Sequence, residues 1–374
     1  MSRALVTGGA GLIGSHLVDL LLEQGWRVRI LDALEPVTHR NGLPPWVPAA
    51  VEMVTADIRD RDAVARALVD VDVVFHQAAY GGYLPQIAKF IDVNCGGTAI
   101  LLETIRDQRL PVAKVVVASS QAVYREGAVE CAEHGLQFPG PRDPQLLETG
   151  DFEVRCPVCD GPTKAAPTPE NAPTGGGNSY AISKVAEEQL ALAWSAQTGI
   201  PAVALRYSCT YGPRQSIYNP YTGLIAIFAT RLLAGLPPVV YEDGLQSRDL
   251  AWVGDVARAN LLAAETSALD GKAVNIGSGR ANTVREVARQ VGDALGVDIE
   301  PELRGEFRPG EMRALTPDIT LAGAAGYEPT LMPEEGIAHY VEWVRSQGDI
   351  HDYFASAERL LQQLGIVQRV KTPA

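Results

Sequence analysis

The sequence predicts an α/β protein built around a doubly wound parallel sheet. Short β-branched runs alternate with longer helical patterns through the first half of the chain, as in right-handed βαβ units whose sheet is covered by helices on both faces. The candidate strands are Ala4–Thr7, Val28–Leu31, Val51–Val54, Val73–His76, Val115–Ala118 and Val203–Arg206. The candidate helices between them are Leu12–Gln24, Arg61–Val69 and Ile91–Gln108. A glycine-rich turn joins the first strand to the first helix, which is typical of this architecture.

The segment from Arg125 to Gly177 interrupts the alternation. It is rich in proline and glycine, has little periodicity and contains three of the five cysteines. We interpret it as an insertion without a core of its own. Regular patterning returns afterwards, with candidate helices Tyr180–Ala196, Thr222–Ala234, Thr283–Leu295 and Asp352–Leu364 and the candidate strand Ala273–Ile276.

The charge and hydropathy of the chain disfavour several classes of partner. With 32 basic and 45 acidic residues the net charge is −13, which opposes binding to the phosphate backbone of nucleic acid. No stretch is long and apolar enough to span a bilayer, and the chain opens with a strand and a glycine turn rather than a signal peptide. We therefore expect a cytoplasmic protein, in which five cysteines argue against a disulfide framework.

The turn Gly8-x-x-Gly11-x-x-Gly14 predicts a dinucleotide site. Glycines here let the backbone approach a pyrophosphate, and the helix N-terminus supplies N–H groups to the phosphates. Asp32 ends the next strand, where its carboxylate can bind the adenosine ribose and repel a 2′-phosphate, so NAD is favoured over NADP. An ordinary strand–turn–helix corner is the alternative, and Asp32 argues against it. The candidate cofactor contacts are Gly8, Gly11, Leu12, Ile13, Gly14, Asp32, Asp57, Ile58, Gln77, Ala78 and Ala79.

A chain of 374 residues is expected to form more than one lobe, because single hydrophobic cores stop growing at about 250–300 residues. We predict a Rossmann-type NAD-binding lobe and a smaller, discontinuous α/β lobe for the substrate, followed by a C-terminal helix and tail. The ranges are 1–206 with 245–269 for the first lobe, 207–244 with 270–345 for the second, and 346–374 for the tail. The insertion, 125–177, lies within the first lobe.

Tyr180 and Lys184 are the candidate catalytic pair, four residues apart on one face of a predicted helix. A phenol is a poor base at neutral pH, but a neighbouring ammonium stabilises its phenolate form. Ser120 ends the fifth strand, at the edge of the sheet where ligands bind, and its hydroxyl can bond a reacting hydroxyl. A Tyr-x-x-x-Lys spacing also occurs by chance on solvated helices, and the glycine turn together with Ser120 argues against chance.

These motifs resemble those of the extended short-chain dehydrogenases/reductases, in the NAD-dependent nucleotide-sugar epimerase/dehydratase family. The resemblance covers nearly the whole chain, through Thr7–Gly9, Val117–Ser120, Tyr180-x-x-x-Lys184, Arg206–Tyr207, Tyr211–Arg214, Ser247–Asp249 and Arg308–Glu311. It implies that Tyr180 is the catalytic base, that Lys184 binds the nicotinamide ribose and that Ser120 bonds the sugar hydroxyl. It also implies cofactor contacts from Asn94 and Tyr207 and substrate contacts from Ser120, Gln121, Cys209, Arg214, Asn219, Arg248 and Arg308.

Within that family the chain most resembles dTDP-L-rhamnose 4-epimerase-type enzymes, through Gly212–Gln215, Asn219–Gly223 and the cysteine-bearing insertion. It departs from the family at Ser208-Cys209, where Phe-Asn is common, and at Trp252, where histidine is common. Both departures lie near the expected substrate pocket and suggest an unusual sugar.

The residues after Ser120 bear on the type of reaction. Sugar 4,6-dehydratases of this family carry Asp-Glu there for protonation and water elimination, whereas this chain has Gln121-Ala122. We predict epimerisation of a nucleoside-diphosphate sugar at carbon 4, through a transient 4-keto sugar that takes the hydride back on its opposite face. The alternatives are a 4-ketoreductase or C4 dehydrogenase with cofactor turnover, and a catalytically silent NAD-binding sensor. The resemblance also implies a homodimer through helices near Ile91–Gln108 and Tyr180–Ala196.

The insertion carries two short ligand pairs, Cys131-x-x-His134 and Cys156-x-x-Cys159, separated by twenty-one residues. Two such pairs can close a tetrahedral site, and four protein ligands indicate a structural zinc ion. The alternative is a set of unpaired thiols and a surface histidine on a loop. The remaining cysteines are interpreted as ordinary buried thiols.

Overall fold

A computed structural model describes residues 2–82, 86–219, 221, 223–348 and 350–371. The strands in chain order are Arg3–Thr7 (β1), Arg27–Asp32 (β2), Glu52–Thr55 (β3), Val73–His76 (β4), Lys114–Ser120 (β5), Val129–Cys131 (β6), Gly135–Gln137 (β7), Thr163–Ala165 (β8), Ala202–Tyr207 (β9), Cys209–Tyr211 (β10), Val239–Val240 (β11), Ser247–Trp252 (β12), Ala273–Ile276 (β13), Ala281–Thr283 (β14), Glu302–Leu303 (β15), Glu306–Phe307 (β16), Ala314–Leu315 (β17) and Gln368–Arg369 (β18).

The α-helices are Leu12–Glu23 (α1), Arg61–Ala67 (α2), Ile87–Phe90 (α3), Gly97–Asp107 (α4), Pro144–Glu148 (α5), Ser179–Thr198 (α6), Leu224–Leu233 (α7), Val253–Glu265 (α8), Val284–Leu295 (α9), Thr320–Ala324 (α10), Pro333–Ser346 (α11) and Phe354–Gln363 (α12). A π-helical segment, Ile91–Gly96, joins α3 to α4, and a 3₁₀ turn, Gln121–Val123, follows β5. Among the described residues, none of the helices has the length and apolar character needed to cross a membrane.

Within the described residues, seven parallel strands form the large sheet in the order β13-β9-β5-β4-β1-β2-β3. The central strands are short runs rich in Val, Leu and Ala, as expected where both faces of a sheet are buried. The order reverses at β1, with β4 on one side and β2 on the other. The carboxyl ends of β1 and β4 therefore open on the crevice where ligands of doubly wound sheets bind. The prediction of a doubly wound parallel sheet is confirmed.

Helices cover both faces of this sheet because alternate side chains of each strand point to opposite sides. Val6 packs with Leu17 of α1 and Val256 of α8 on one face. Leu5 packs with Leu101 of α4 on the other face, which α2 and α6 also cover. All five side chains are fully buried. This packing fixes the carboxyl ends of the strands relative to one another.

A second core lies in the C-terminal part of the chain. Helices α7, α9 and α11 bury Phe228, Val287 and Tyr340 together with Leu250 of β12. Strand β12 pairs with β10, β14 and β17, so it connects this core to the loop that follows β9. Pro220 and Thr222, which belong to the predicted segment before α7, lie outside the described residues.

One strand lies in a different part of the fold from the one we predicted. We assigned Ala273–Ile276 to the smaller lobe, but it is β13, which pairs with β9 at the edge of the large sheet. Helix α8 packs on that sheet and returns the chain to it, and Val274 and Ile276 are buried there. The first lobe therefore includes β13, and the remaining lobe boundaries stay predictions.

The insertion has more regular structure than its sequence suggests. Strands β7, β6 and β8 form a small antiparallel sheet. A small apolar cluster of Leu147, Phe152 and Phe307 joins the insertion to β16. The sheet was not predicted because strands of three residues carry too little periodicity to be recognised in a sequence.

A buried ion pair joins helix α6 to the sheet. The Arg206 guanidinium of β9 donates to both carboxylate oxygens of Glu188, at 2.9 and 2.6 Å. Ser119 Oγ donates to the same carboxylate at 2.7 Å, and Arg206 also donates to the Tyr124 hydroxyl at 2.8 Å. Arg206 and Glu188 are only 4% and 5% exposed, so each buried charge depends on the other for compensation.

The variant Glu188→Gln is expected to lower the free energy of unfolding by about 3 kcal/mol, because it leaves the buried Arg206 charge uncompensated. Urea denaturation followed by circular dichroism measures the change. The matched control is Glu103→Gln, which breaks an exposed pair with Arg61 and is expected to cost less than about 1 kcal/mol. Equal losses in the two variants would contradict the importance given to the buried pair.

Candidate active site

The glycine turn lies between β1 and α1, at the crevice. Gly8 has a φ of +68°, and a Cβ there would lie 2.7 Å from the backbone nitrogen of Ala78, after β4. A Cβ on Gly14 would overlap the carbonyl oxygen of Gly8. Gly11, the N-cap residue of α1, has no side chain to cap the helix. The turn therefore accepts no side chains, and the first N–H groups of α1 remain for an anion such as a pyrophosphate.

An open cleft runs along this edge of the sheet, and most of the predicted cofactor residues line it. They are Gly8, Gly11, Leu12, Ile13, Gly14, Asp32, Asp57, Ile58, Gln77, Ala78, Ala79, Tyr180 and Tyr207. Ser120 and Asn219, predicted for the substrate, line the same cleft. The lining side chains that sequence reasoning missed include Glu35, Thr38, His39, Tyr80, Ser208, Thr210 and Gln215. Thr210 lies in β10 and the others lie in loops. Ser208 and Gln215 belong to segments that the sequence analysis named, but it assigned neither residue a contact, because no spacing shows which loop residues face a cleft.

Asp32 ends β2 with both carboxylate oxygens anchored. Oδ2 accepts a hydrogen bond from the N–H of Ala10 at 2.9 Å, and Oδ1 accepts one from the N–H of Leu34 at 2.8 Å. Each oxygen retains a further lone pair, so the carboxylate is oriented to accept bonds from ribose hydroxyls. The glycine cradle and this carboxylate together fit the adenosine and pyrophosphate of NAD.

Helix α6 carries the candidate base and the candidate lysine. Asn178 caps the helix by accepting a bond from the N–H of Ala181 at 2.9 Å, which places Tyr180 in the first turn, at the cleft. Lys184 lies one turn further along and is buried. Its Nζ donates to the carbonyl oxygen of Ala118 in β5 at 2.7 Å. The lysine therefore fixes the start of α6 to the strand that ends in Ser120.

A buried carboxylate that the sequence analysis missed lies beside Lys184. Glu187 Oε2 accepts a bond from Lys184 Nζ at 2.7 Å, and both side chains are at most 2% exposed. The other Glu187 oxygen lies 3.7 Å from His76 Nε2. Burial, with Lys184 nearby, lowers the pKa of His76 to about 3, so this histidine is neutral. The i,i+3 spacing of Lys184 and Glu187 on one helix was the signal that could have indicated the pair.

Ser120 is the last residue of β5 and lines the same cleft as Tyr180. Its Oγ accepts a bond from the N–H of Ala122 at 3.2 Å, which leaves the hydroxyl hydrogen for another acceptor. Gln121 Nε2 donates to the Cys209 sulfur at 3.1 Å, so two residues predicted for the substrate lie together. Within the described structure, the buried Oε1 atom of Gln121 has no hydrogen-bond partner, which suits a ligand hydroxyl.

Asn94, predicted to contact the cofactor, makes structural hydrogen bonds and is not among the residues that line the cleft. Its side-chain oxygen accepts a bond from the N–H of Tyr80 at 2.7 Å. Its amide nitrogen donates to the Tyr80 carbonyl and to Ser183 Oγ, both at 2.9 Å. The side chain is fully buried, because the π-helical segment directs it between the loop after β4 and helix α6. Asn94 therefore positions α6, and its contact with the cofactor stays a prediction.

The two arginines predicted for the diphosphate share one carboxylate. Arg248 Nη2 donates to Glu311 Oε1 at 3.0 Å, and Arg308 Nη1 lies 3.6 Å from Glu311 Oε2. Burial raises the pKa of Glu311, but the guanidinium groups of Arg308 and Arg248 outweigh it and lower the pKa on balance. Glu311 is therefore an anion held between two cations. Guanidinium pairs of this kind also suit a diphosphate.

Arg214, also predicted for the substrate, is joined to α1. It forms an ion pair with Asp19 at 2.6 Å, and His16 of the same helix bonds the carbonyl oxygen of Pro213 at 3.0 Å. The residue has a φ of +70°, so the backbone turns sharply at this point. The structure thus brings Arg214 to α1, whereas Arg248 and Arg308 meet at Glu311.

The four candidate metal ligands come together in the insertion, with their ligand atoms within 4.8 Å of one another. They are Cys131, His134, Cys156 and Cys159. The remaining two cysteines, Cys95 and Cys209, are partly exposed, and burial raises the pKa of both thiols. They are therefore ordinary thiols, although less buried than expected.

A glycine turn and an acidic strand end along one cleft, with a tyrosine at the cleft and a lysine one helical turn further on, are the features of an extended short-chain dehydrogenase/reductase. The chain belongs to the NAD dependent epimerase/dehydratase family, whose model matches residues 4–144 and 158–277. The gap between the two matched ranges falls within the insertion. The family predicted from the motifs is confirmed.

Relatives of the chain include enzymes with different reactions. It is 33% identical over 358 residues to the dTDP-L-rhamnose 4-epimerase of Burkholderia thailandensis, covering 93% of this chain and 96% of that protein. It is 29% identical to the dTDP-glucose 4,6-dehydratase of Streptomyces niveus, covering 92% of this chain and 93% of that protein.

Solved structures of similar proteins share the fold over most of this chain. The UDP-glucose 4-epimerase of Thermotoga maritima with UDP-glucose has a TM-score of 0.75 at 30% identity, covering 92% of this chain and 98% of that one. The UDP-glucose 4-epimerase of Thermus thermophilus in complex with NAD has a TM-score of 0.71 at 32% identity, covering 92% and 99%.

The variant Gly14→Ala is expected to weaken NAD binding at least about tenfold, since its Cβ would push the turn away from the pyrophosphate. Calorimetric titration of nucleotide-free protein with NAD measures the affinity. The matched control is Gly323→Ala in α10, where a Cβ would meet no atom within 4 Å. Wild-type affinity in both variants would show that the turn does not bind the cofactor.

The carboxyl group of Glu187 is expected to make stability depend on pH. Burial raises its pKa from 4.5 to about 7, against the opposing effect of the Lys184 ammonium. Between these two values the folded chain keeps a proton that the unfolded chain has lost, so this group's contribution to stability falls as the pH rises.

The variant Glu187→Gln removes that dependence. The free energy of unfolding of the variant relative to wild type is therefore expected to increase between about pH 5 and pH 7. Urea denaturation at several pH values measures it, with Glu103→Gln as the exposed control. A difference that stays constant, or that decreases with pH, would contradict the raised pKa.

Proposed function

We propose that the protein is an NAD-dependent nucleoside-diphosphate-sugar 4-epimerase. The observation that carries the proposal is that Ser120 and Tyr180 line the cofactor cleft while Gln121 and Ala122 follow the serine. This residue set supports removal and return of one hydroxyl proton. It supplies no carboxylic acid after Ser120 to eliminate water.

The substrate class is supported by the site and by similar proteins. Arg248 and Arg308 lie close together, on either side of the Glu311 carboxylate, and in a protein of net negative charge a diphosphate needs local guanidinium partners of this kind. The solved Thermotoga maritima structure contains UDP-glucose. The dTDP-L-rhamnose 4-epimerase of Burkholderia thailandensis is among the similar enzymes, in agreement with the resemblance of the motifs.

In the proposed mechanism Tyr180 takes the proton of the sugar 4-hydroxyl while Ser120 bonds the same oxygen. The glycine turn and Asp32 would hold NAD⁺, which would supply the acceptor for the hydride of carbon 4 and the donor for its return. Lys184 stabilises the phenolate form of Tyr180, and Glu187 with Ala118 keeps the lysine in place. After the 4-keto sugar has rotated and taken the hydride back on its opposite face, Tyr180 returns its proton to the 4-oxygen. Atoms and electrons balance without an added oxidant or reductant.

The dehydratase reaction of some relatives is disfavoured. The side-chain amide nitrogen of Gln121 donates a hydrogen bond to the Cys209 sulfur. Neither Gln121 nor Ala122 is an acid. Proton transfer for water elimination needs a group that changes its protonation state near neutral pH. A 4-ketoreductase uses the same residues as an epimerase, and the two differ in whether the cofactor is consumed.

The proposed enzyme is a cytoplasmic homodimer that also carries a structural zinc ion. Apolar side chains on the two helices predicted for the dimer are solvent-exposed in the single chain: Ile182 and Leu190 of α6 are 51% and 40% exposed, and Ile91 before α4 is 41% exposed. Burial of these side chains favours association. None of the five cysteines, all of which lie in the described part of the chain, forms a disulfide, as expected in a reducing compartment.

Incubation of the purified enzyme with dTDP-, UDP-, GDP- and CDP-sugars, without added reductant, tests the activity. Chromatography and proton NMR at carbon 4 are expected to show an equilibrium pair of 4-epimers with no net NADH. Net NADH, or no reaction until a 4-keto sugar and NADH are supplied, would replace the epimerase with a dehydrogenase or reductase. No turnover under any condition would favour the NAD-binding sensor.

The variant Tyr180→Phe is expected to lower kcat at least about 100-fold, because it removes the group that takes and returns the proton. NAD affinity is expected to stay within about twofold of wild type. The control is Tyr340→Phe, since the Tyr340 hydroxyl is buried in the second core without a described partner. Retained turnover in Tyr180→Phe would require a different base.

A further inference from the structure

The insertion contains a side-chain cluster with the shape of a metal site. Cys131 ends β6, His134 lies in the turn to β7, and Cys156 and Cys159 lie in the tight turn before β8. The Cys131 sulfur is 3.6 Å from His134 Nδ1 and 3.8 Å from the Cys159 sulfur. The Cys156 sulfur is 3.8 Å from His134 Nδ1.

These spacings match a tetrahedron around zinc. Bonds of about 2.3 Å to sulfur and about 2.0–2.1 Å to nitrogen place neighbouring sulfurs about 3.8 Å apart, and sulfur and nitrogen about 3.6 Å apart. A disulfide requires sulfurs about 2.05 Å apart. The sulfurs of Cys131 and Cys159 are 3.8 Å apart, which is too far for a disulfide and fits two atoms that bind the same metal ion.

The surroundings indicate a structural ion. Within the described residues the cluster contains three thiols and one imidazole, a set that selects zinc over magnesium or calcium. Four protein ligands leave no position open for water or substrate. The apolar cluster of the insertion is small, comprising Leu147, Phe152 and Phe307 with part of Val370, so metal binding supplies folding energy that the core does not.

The loop between the two ligand pairs carries Arg142, which reaches the candidate substrate site. Its guanidinium donates to both carboxylate oxygens of Glu242, at 3.0 and 2.7 Å, and to the carbonyl oxygen of Glu311 at 2.8 Å. The Arg142 side chain is 5% exposed. The Glu311 carboxylate contacts both Arg248 and Arg308. By bonding the backbone of Glu311, Arg142 therefore helps to fix the position of both arginines.

We infer that Cys131, His134, Cys156 and Cys159 bind one Zn²⁺, and that the ion fixes the loop whose Arg142 supports the diphosphate arginines. The second part rests on the proposed function, because it assumes that Arg248 and Arg308 bind the substrate diphosphate. The first part does not depend on the sugar or on the reaction. Loss of the ion is expected to loosen residues 135–155 and to weaken nucleotide binding without changing NAD binding.

Metal analysis of the full chain tests the ion. Tag-free protein purified without chelators is expected to contain one zinc per chain, and the double variant Cys156→Ser/Cys159→Ser is expected to contain less than about 0.1. The control Cys95→Ser keeps one zinc, since Cys95 lies outside the cluster. Wild-type protein without zinc, or with a different metal in stoichiometric amount, overturns the inference.

Cobalt replacement avoids dependence on a variant that fails to fold. Wild-type protein stripped by a chelator and refilled with Co²⁺ is expected to show the absorption bands of tetrahedral cobalt with thiolate ligands. A spectrum of octahedral cobalt, or the same spectrum in Cys156→Ser/Cys159→Ser, contradicts the assigned ligands.

Calorimetric binding of UDP and dTDP to zinc-loaded and zinc-stripped protein tests the supporting role. Stripping is expected to raise the Kd of the preferred nucleotide about tenfold, with NAD affinity unchanged and restored nucleotide binding after Zn²⁺ is returned. The variant Arg142→Gln is expected to reproduce the nucleotide effect while keeping its zinc. Zinc present with no change in nucleotide binding removes the supporting role alone. If the protein contains zinc but turns over no nucleotide sugar, the zinc site is supported and the proposed function is refuted.

Discussion

The geometry of the cleft depends on the way helix α6 is fixed to the carboxyl end of β5. Glu187 and Glu188 are adjacent in that helix, both are buried, and their carboxylates bind different partners. Glu187 holds Lys184, whose ammonium also reaches the carbonyl oxygen of Ala118. Glu188 holds Ser119 and Arg206. Tyr180 is therefore set relative to Ser120 by charges in a low-dielectric interior, where misplacement is costly.

Local pairing of charges also shapes the candidate substrate site. A chain with a net charge of −13 must gather cations locally to bind a diphosphate. Arg248 and Arg308 are brought together around Glu311, and Arg142 of the insertion bonds the backbone of the same residue. The insertion, part of which lies between the two ranges that the family model matches, is thus connected to the part of the site that would recognise the substrate.

Much of the fold and the cofactor site could be predicted from local patterns. Gly8 and Gly14 lie where the structure has no room for a Cβ, and Asp32 ends the next strand. At these positions the residue type alone indicates the local backbone structure. The same holds for Tyr180 and Lys184, whose spacing follows directly from helix geometry. The four metal-ligand candidates were also predicted together, because short chelating spacings are a local property.

Several of the features that were missed depend on contacts between distant segments. Glu311 lies 63 residues from Arg248, and no spacing rule links them. Strand β13 was assigned to the wrong lobe because a short apolar run does not reveal which sheet it joins. Asn94 matches a family position, but its hydrogen bonds to Tyr80 and Ser183 follow from the tertiary packing of a π-helical segment.

The central claim is that one hydride leaves carbon 4 and returns to the opposite face of the same carbon, on a cofactor that stays bound. A substrate labelled with deuterium at carbon 4, incubated with the enzyme and an excess of unlabelled free NADH, tests it most directly. The 4-epimer is expected to form with its deuterium retained at carbon 4. Replacement of that deuterium by hydrogen, from the free NADH or from solvent, would contradict the return of the same hydride from a bound cofactor.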